Sequence, residues 1–378
     1  MIIRNASVYT EDGIFIEKDI YIANGRFVNG EDKVTDTQVI SAAGCYAIPG
    51  LTDIHFHGCM GFDFCDGTRE AVDEIAAYEL SAGVTNIVPA TMTLSEEMLL
   101  TICQTAKAYA EEGFHEGRAR FQGINMEGPF LSMEKKGAQN GAYIHAPDVA
   151  MFERLKEASG DRIRLLDVAP ETPGAMEMIE KCRDHVVVSL AHTCADYDTA
   201  MEAFDAGASH MTHLYNAMPP YTHRAPGPIG AAADRQKVEV ELITDGVHIH
   251  PASVRTTFRM FGDDRIILIS DSMRATGLED GDYTLGGQDV KVTGNKAVLA
   301  DGTIAGSVTN LLDCMRTAVL HMGIPLESAV KCAAVNPAKS VGIYDEYGSI
   351  SPGKKADVVL LRKEDLTVKH VIMEGGLV

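Results

Sequence analysis

Basic residues are scarce. Lys and Arg number 33 against 54 Asp and Glu, a formal charge of −21. A nucleic-acid surface needs clustered cations against the phosphates, so no nucleic-acid partner is expected. A phosphorylated small molecule remains compatible if local donors meet it. None of the eight cysteines (Cys45, Cys59, Cys65, Cys103, Cys182, Cys194, Cys314 and Cys332) forms a C-x-x-C pair. A chain of 378 residues needs no disulfide staples, and free thiols suit a reducing cytosol. No apolar run is long enough to span a membrane. The first residues, MIIRNASVYT, have no basic stretch leading into a long apolar one, so no secretory leader is expected and the reading is cytoplasmic. G-x-G-x-x-G, Walker A and G-x-S-x-G patterns are missing, which leaves nucleotide-binding and serine-hydrolase readings unsupported. Tryptophan is absent too, and that decides nothing.

Hydrophobic residues make up 46%, ample for a large core. The first fifty residues read as short strands with turn punctuation, and Asn24-Gly25 is a hairpin signal. The end, ADVVLLRKEDLTVKHVIMEGGLV, has two more strand-like runs. One small β-sandwich domain built from residues 1–50 and 345–378 is the economical expectation. Between them, residues 51–344 alternate. Apolar runs at 51–57, 84–91, 120–128, 163–171, 186–193, 208–216, 238–248 and 265–273 are separated by helix-like segments such as 68–83 and 93–113. Eight such strands predict an α/β fold, a (β/α)8 TIM-type barrel. A Gly-rich, hairpin-like insertion at 277–307 precedes the last helix, expected near 307–322.

Working residues of such barrels sit at the C-terminal strand ends. Here those ends carry His55 and His57, Glu127, His192, His213, Asp245 and His248, and Asp271. Each alone is more often structural than functional, but their convergence on one rim is not readily an accident. In a strand, His55 and His57 would share a face. Imidazole and carboxylate donors suit Zn²⁺ or Fe²⁺. Four His and one Glu exceed what one catalytic ion takes, and suit two ions sharing a bridge. Such an ion acidifies bound water, and Asp271 could move its proton to a leaving group. That chemistry is amide or ester hydrolysis. His210 and His213 have odd spacing, so only one can face the metal, and spacing alone does not choose. His248 and His250 follow Asp-Gly and read as loop residues; Cys59, Cys65 and Cys194 read as core thiols.

These residues resemble the amidohydrolase superfamily, marked by His-x-His after PGLTDIH and by the closing GSISPGKKADVVLL. Within it, the chain is similar over essentially its whole length to the N-acetylglucosamine-6-phosphate deacetylase family. NMEGPF with KKGAQN, LAHT, THLYNAMPP, ITDGVHIHP, SDSMRATG and GTIAGS carry the likeness. The resemblance implies that Glu127, His192 and His213 ligate one ion, which selects His213 over His210. It implies that Asp271 is the general base and then acid. His248 and Arg224 would contact a sugar phosphate, with Asn216 and Ala217. Ala138, Gln139, Ile304, Ala305 and Gly306 would line the sugar pocket. Some members lack ligands at the positions of His55 and His57 and use one ion; this chain keeps both, so of the one or two divalent ions expected per subunit, Zn or Fe, two are favoured. Some members place a histidine where Gln139 stands.

The implied reaction is hydrolysis of N-acetyl-D-glucosamine 6-phosphate to D-glucosamine 6-phosphate and acetate, in a homodimer. The alternatives are the galactosamine epimer, another amidohydrolase such as a cyclic-amide hydrolase, or a non-catalytic scaffold. A scaffold would be expected to have lost ligands, and all five are present.

Overall fold

A computed structural model describes residues 1–35 and 38–378. Eight strands lie side by side in parallel. They are Leu51–Asp53, Val84–Ile87, Arg120–Phe121 continued by Ile124–Met126, Ile163–Val168, Val187–Leu190, His210–Met211, Glu239–Ile243 and Ile266–Ile269. Neighbours in sequence are neighbours in the sheet; the second strand pairs with Arg120 and Phe121 of the third, and an isolated parallel bridge, Ala90 to Asn125, links it to the continuation. The curled sheet then returns to its start. Asp271 N–H donates to His55 O at 2.9 Å, and His57 N–H donates to Ser272 O at 2.7 Å. A (β/α)8 order requires that seam.

Each strand is followed by helix, from Arg69–Ser81 and Glu96–Glu111 to Pro251–Phe261 and Leu311–Leu320. Side-chain caps set where several begin. Thr68 accepts from Ala71 N, Ser95 from Met98 N, and Asn310 from Asp313 N. The apolar faces of these helices pack on the outside of the sheet. A second, smaller apolar cluster fills the inside, with Ile54, Val88, Leu165, Ile243, Ile267 and Ile269. The expected insertion forms a three-stranded antiparallel sheet, Gly281–Leu285, Gln288–Thr293 and Lys296–Val298.

Strands from both chain ends share one further sheet. Val358–Arg362 pairs antiparallel with Cys45–Pro49, which lies parallel to Ile2–Tyr9. Asn24 and Gly25 both have positive φ at the turn after Phe15–Ala23, as the hairpin signal requires. Ile3, Val8, Ile20, Ala47, Val358 and Leu360 form a separate core beneath it. The pairing gives the two termini a common sheet; it does not divide that sheet into two faced layers. Among the described residues, no helix is long and apolar enough to cross a membrane.

Candidate metal centre and substrate cavity

The donors expected at the strand ends meet in two adjoining groups: Glu127 with His192 and His213, and His55 with His57 and Asp271. In the first, Glu127 Oε1 lies 3.0 Å from His192 Nε2 and 3.2 Å from His213 Nε2, and the two nitrogens are 3.2 Å apart. Ligands about 2.0–2.1 Å from a tetrahedral ion stand roughly 3.3 Å from one another, so this triangle has the size of one face of such a site. His192 Nδ1 donates to Lys135 O at 2.8 Å, which turns the Nε2 lone pair toward the group. Lone pairs and a carboxylate converging in a buried space repel unless a cation stands among them. The donor set therefore fits a divalent ion.

In the second group, His57 Nε2 is 3.2 Å from Asp271 Oδ1. His55 Nε2 is 3.9 Å from the same oxygen and, although buried, has no hydrogen-bond partner among the described residues. Glu127 stands between the groups, with Oε2 3.3 Å from His57 Nε2 and Oε1 3.7 Å from His55 Nε2. Burial pushes the Asp271 carboxyl up, but the His57 hydrogen bond and the His55 and His57 charges outweigh it, leaving Asp271 below the ordinary carboxylate range. Burial likewise opposes ionisation of Glu127, and the imidazoles of His192, His213 and His55 hold it well below that range.

The backbone carries strain at this spot. His192, His213 and Asp271 have φ of 42°, 28° and 48°, in the left-handed region that residues with a side chain seldom adopt. Each conformation costs about 1–3 kcal/mol, and such strain gathers at functional sites. It also corrects the strand argument. The first strand ends at Asp53 and the sixth at Met211, so strand alternation reaches neither the His55–His57 pair nor His213. The turn after Met211 brings His213 into the group, while His210 stays among the strands with Nδ1 3.1 Å from Ser189 Oγ.

A scan against family models matches residues 46–378 to the amidohydrolase family. The chain belongs to the amidohydrolase family. This amidohydrolase is 35% identical to the N-acetylglucosamine-6-phosphate deacetylase of Bacillus subtilis (strain 168), over 100% of its own length and 96% of that protein's. It is 32% identical to the N-acetylgalactosamine-6-phosphate deacetylase of Escherichia coli O157:H7, over 100% and 98%. Among solved structures, a mutant N-acetyl-D-glucosamine-6-phosphate deacetylase from Mycobacterium smegmatis, in complex with N-acetyl-D-glucosamine-6-phosphate, superposes with a TM-score of 0.92. The identity is 34%, and coverage is 100% of this chain and 98% of that one.

Beside its donor groups the amidohydrolase has a cavity of about 520 Å³, the size of a small-molecule site. Ala138, Gln139, Asn216, Ala217, His248, Ile304 and Gly306 line it together with His57, Glu127, His192, His213 and Asp271. His248 Nδ1 donates to Asp245 Oδ2 at 2.7 Å; burial pulls this imidazole down, and Asp245 overrides it to leave it above its ordinary value. Gly306 has φ of 66°, and a Cβ there would stand 2.9 Å from Asp271 O, so only glycine fits.

Three of the expected residues stand less directly at the cavity. Ala305 is fully buried and outside the lining. Arg224 is exposed on the loop after the sixth strand and is also outside it. Gln139 reaches the lining, but its amide is bound to Thr93, Glu127 and Met92 rather than turned to the cavity.

The sequence reading missed Glu241, which is fully buried and accepts from His55 Nδ1 at 2.9 Å and from His213 N at 3.0 Å. It also passed over Lys135 and Lys136, cavity-lining cations that stand inside the quoted KKGAQN motif.

Proposed function

We propose that this protein hydrolyses the acetamide of N-acetyl-D-glucosamine 6-phosphate, releasing D-glucosamine 6-phosphate and acetate. The observation that carries the reading is the pair of donor groups meeting on Glu127 at the wall of a small-molecule cavity. Relatives of matching length, named for this chemistry, supply the substrate class.

Glu127, His192 and His213 would hold one divalent ion, and His55 and His57 a second beside Asp271; zinc or iron suits these donors. When bound, the metal supplies an activated water and polarises the acetamide carbonyl. Asp271, ionised at neutral pH, takes a proton from the attacking water and returns it to the departing amine nitrogen. Asp245 fixes the His248 ring so that Nε2 is free for the substrate. Asn216, Ala217, Ala138, Ile304 and Gly306 shape the sugar site, with Ala305 supporting its neighbours and Gln139 acting from behind. Arg224 meets the phosphate, either in its own subunit or across a homodimer, the assembly this reading favours. Lys135 and Lys136 add positive charge to an otherwise acidic surface.

The same reading takes residues 51–344 as a closed (β/α)8 catalytic domain and residues 1–50 with 345–378 as a small β-sandwich domain. It places the enzyme in the cytoplasm.

The test is acetate release by metal-loaded protein, with N-acetylglucosamine 6-phosphate and its galactosamine epimer side by side. Faster turnover of the gluco epimer is expected. The galacto reading rests on the Escherichia coli relative, and a higher kcat/KM for that epimer would establish it instead. No acetate from either would overturn both.

A further inference from the structure

Both ends of the Gln139 amide are engaged within the protein rather than turned to the cavity. Its Oε1 accepts from Thr93 N–H at 2.7 Å, and its Nε2 donates to Glu127 Oε2 at 2.7 Å and lies 3.6 Å from Met92 Sδ. Only 2% of the residue is exposed. The orientation of this amide is forced. A backbone N–H can only donate, so the Gln139 carbonyl must face Thr93. The NH₂ end must then face Glu127, and because it can only donate, Glu127 Oε2 must accept.

The consequence falls on the other carboxylate oxygen. With Oε2 tied to Gln139, Glu127 Oε1 is the oxygen left pointing between His192 and His213. The same loop holds His192, through Lys135 O on its Nδ1 and through Ser132 N–H, which donates to His192 O at 3.0 Å. Close approach keeps the parts together: a Cβ on Gly128, next to Glu127, would fall 2.2 Å from Thr93 Oγ1.

We infer that Gln139 is a positioning residue for the metal, orienting Glu127 so that Oε1 completes the site with His192 and His213. The inference rests on the metal reading above. It assigns Gln139 a task different from sugar contact. Groups behind a ligand of this kind typically change metal affinity about 10–100-fold when removed.

The experiment titrates Co²⁺ into metal-free protein and follows both the dissociation constant and the visible d–d spectrum, with no substrate present. Gln139→Met keeps the chain length and removes the donor. Gln139→Glu keeps an acceptor for Thr93 and sets a second carboxylate against Glu127. Both should bind the first equivalent of Co²⁺ about 10–100-fold more weakly than the parent, with shifted bands from an altered ligand geometry. Gln139→Glu should be the weaker of the two, and it carries the test alone if Gln139→Met does not fold.

A parental dissociation constant in either folded variant would overturn the inference. So would weaker binding with an unchanged spectrum, since that is what mere loss of packing gives. A parent protein that binds no Co²⁺ would instead overturn the metal reading itself, and the inference with it.

Discussion

His55 Nδ1 stands 2.9 Å from Glu241 Oε2, and both side chains are completely buried. A carboxylate behind an imidazole fixes its tautomer and makes the opposite nitrogen a better ligand. Glu241 also accepts from the backbone of His213, so one side chain braces a member of each donor group. Glu241→Gln should weaken metal binding at the His55–His57–Asp271 group about 10–100-fold. Titration of metal-free protein should show the second equivalent lost first. Parental affinity for both equivalents would mean that Glu241 only fills the interior of the curled sheet.

Metal count follows from the two groups. Protein prepared with excess metal should approach two ions per chain by elemental analysis. Changing His55 and His57 together to Ala should lower this to about one. A double variant that holds as much metal as the parent would make the His-x-His pair structural.

How much of this was legible in the sequence depended on where each residue sits. His55, His57 and Asp271 follow apolar runs and precede loops, so they stand out as strand-end groups. Glu241 does not. In VEVELITDG it reads as the solvent side of an alternating strand. A barrel strand has helices on one side and other strands' side chains on the other, so a charge within it meets no water and needs a partner. That reasoning could have found Glu241 and, with it, His210. Strand order, helices and the hairpin insertion were legible because alternating apolar and helix-like segments and a Gly-rich stretch mark them. The strands themselves are shorter than the apolar runs suggested, since the positive-φ turns at His192, His213 and Asp271 end the regular backbone early.

Phosphate recognition can be separated from chemistry. Arg224→Ala should raise KM for the phosphorylated sugar much more than it lowers kcat, since phosphate is held about equally in ground and transition states. Loss of one charge-assisted contact costs roughly 1.5–3 kcal/mol, or about 10–100-fold in KM. Unphosphorylated N-acetylglucosamine should be a poor substrate that the change hardly affects. Equal losses on both would leave Arg224 a role in the fold alone.

Glu79 offers a test of stability against pH. It is fully buried on the helix Arg69–Ser81, and neither carboxylate oxygen has a hydrogen-bond partner among the described residues. Burial, and then the charge of Asp53, push its carboxyl well above the ordinary value of 4.5. The folded protein thus keeps a proton that the unfolded chain releases above that pH. Stability must fall as pH rises from there, by about 1.4 kcal/mol per pH unit until the folded group ionises. Glu79→Gln should match the parent near pH 4.5 and melt at a higher temperature by pH 8. A difference independent of pH would show that Glu79 does not titrate this way.

Asp271 bears most directly on the hydrolytic mechanism. Asp271→Asn keeps the size of the side chain and can still accept a hydrogen bond from His57, but it cannot take a proton from water. The decisive measurement is acetate release from N-acetylglucosamine 6-phosphate, with metal content determined on the same preparation. The expected result is a kcat lower by about 10²–10⁴-fold, with metal and substrate still bound. Near-parental kcat would remove Asp271 from the mechanism, and activity lost in proportion to metal would make it a ligand instead of the proton carrier.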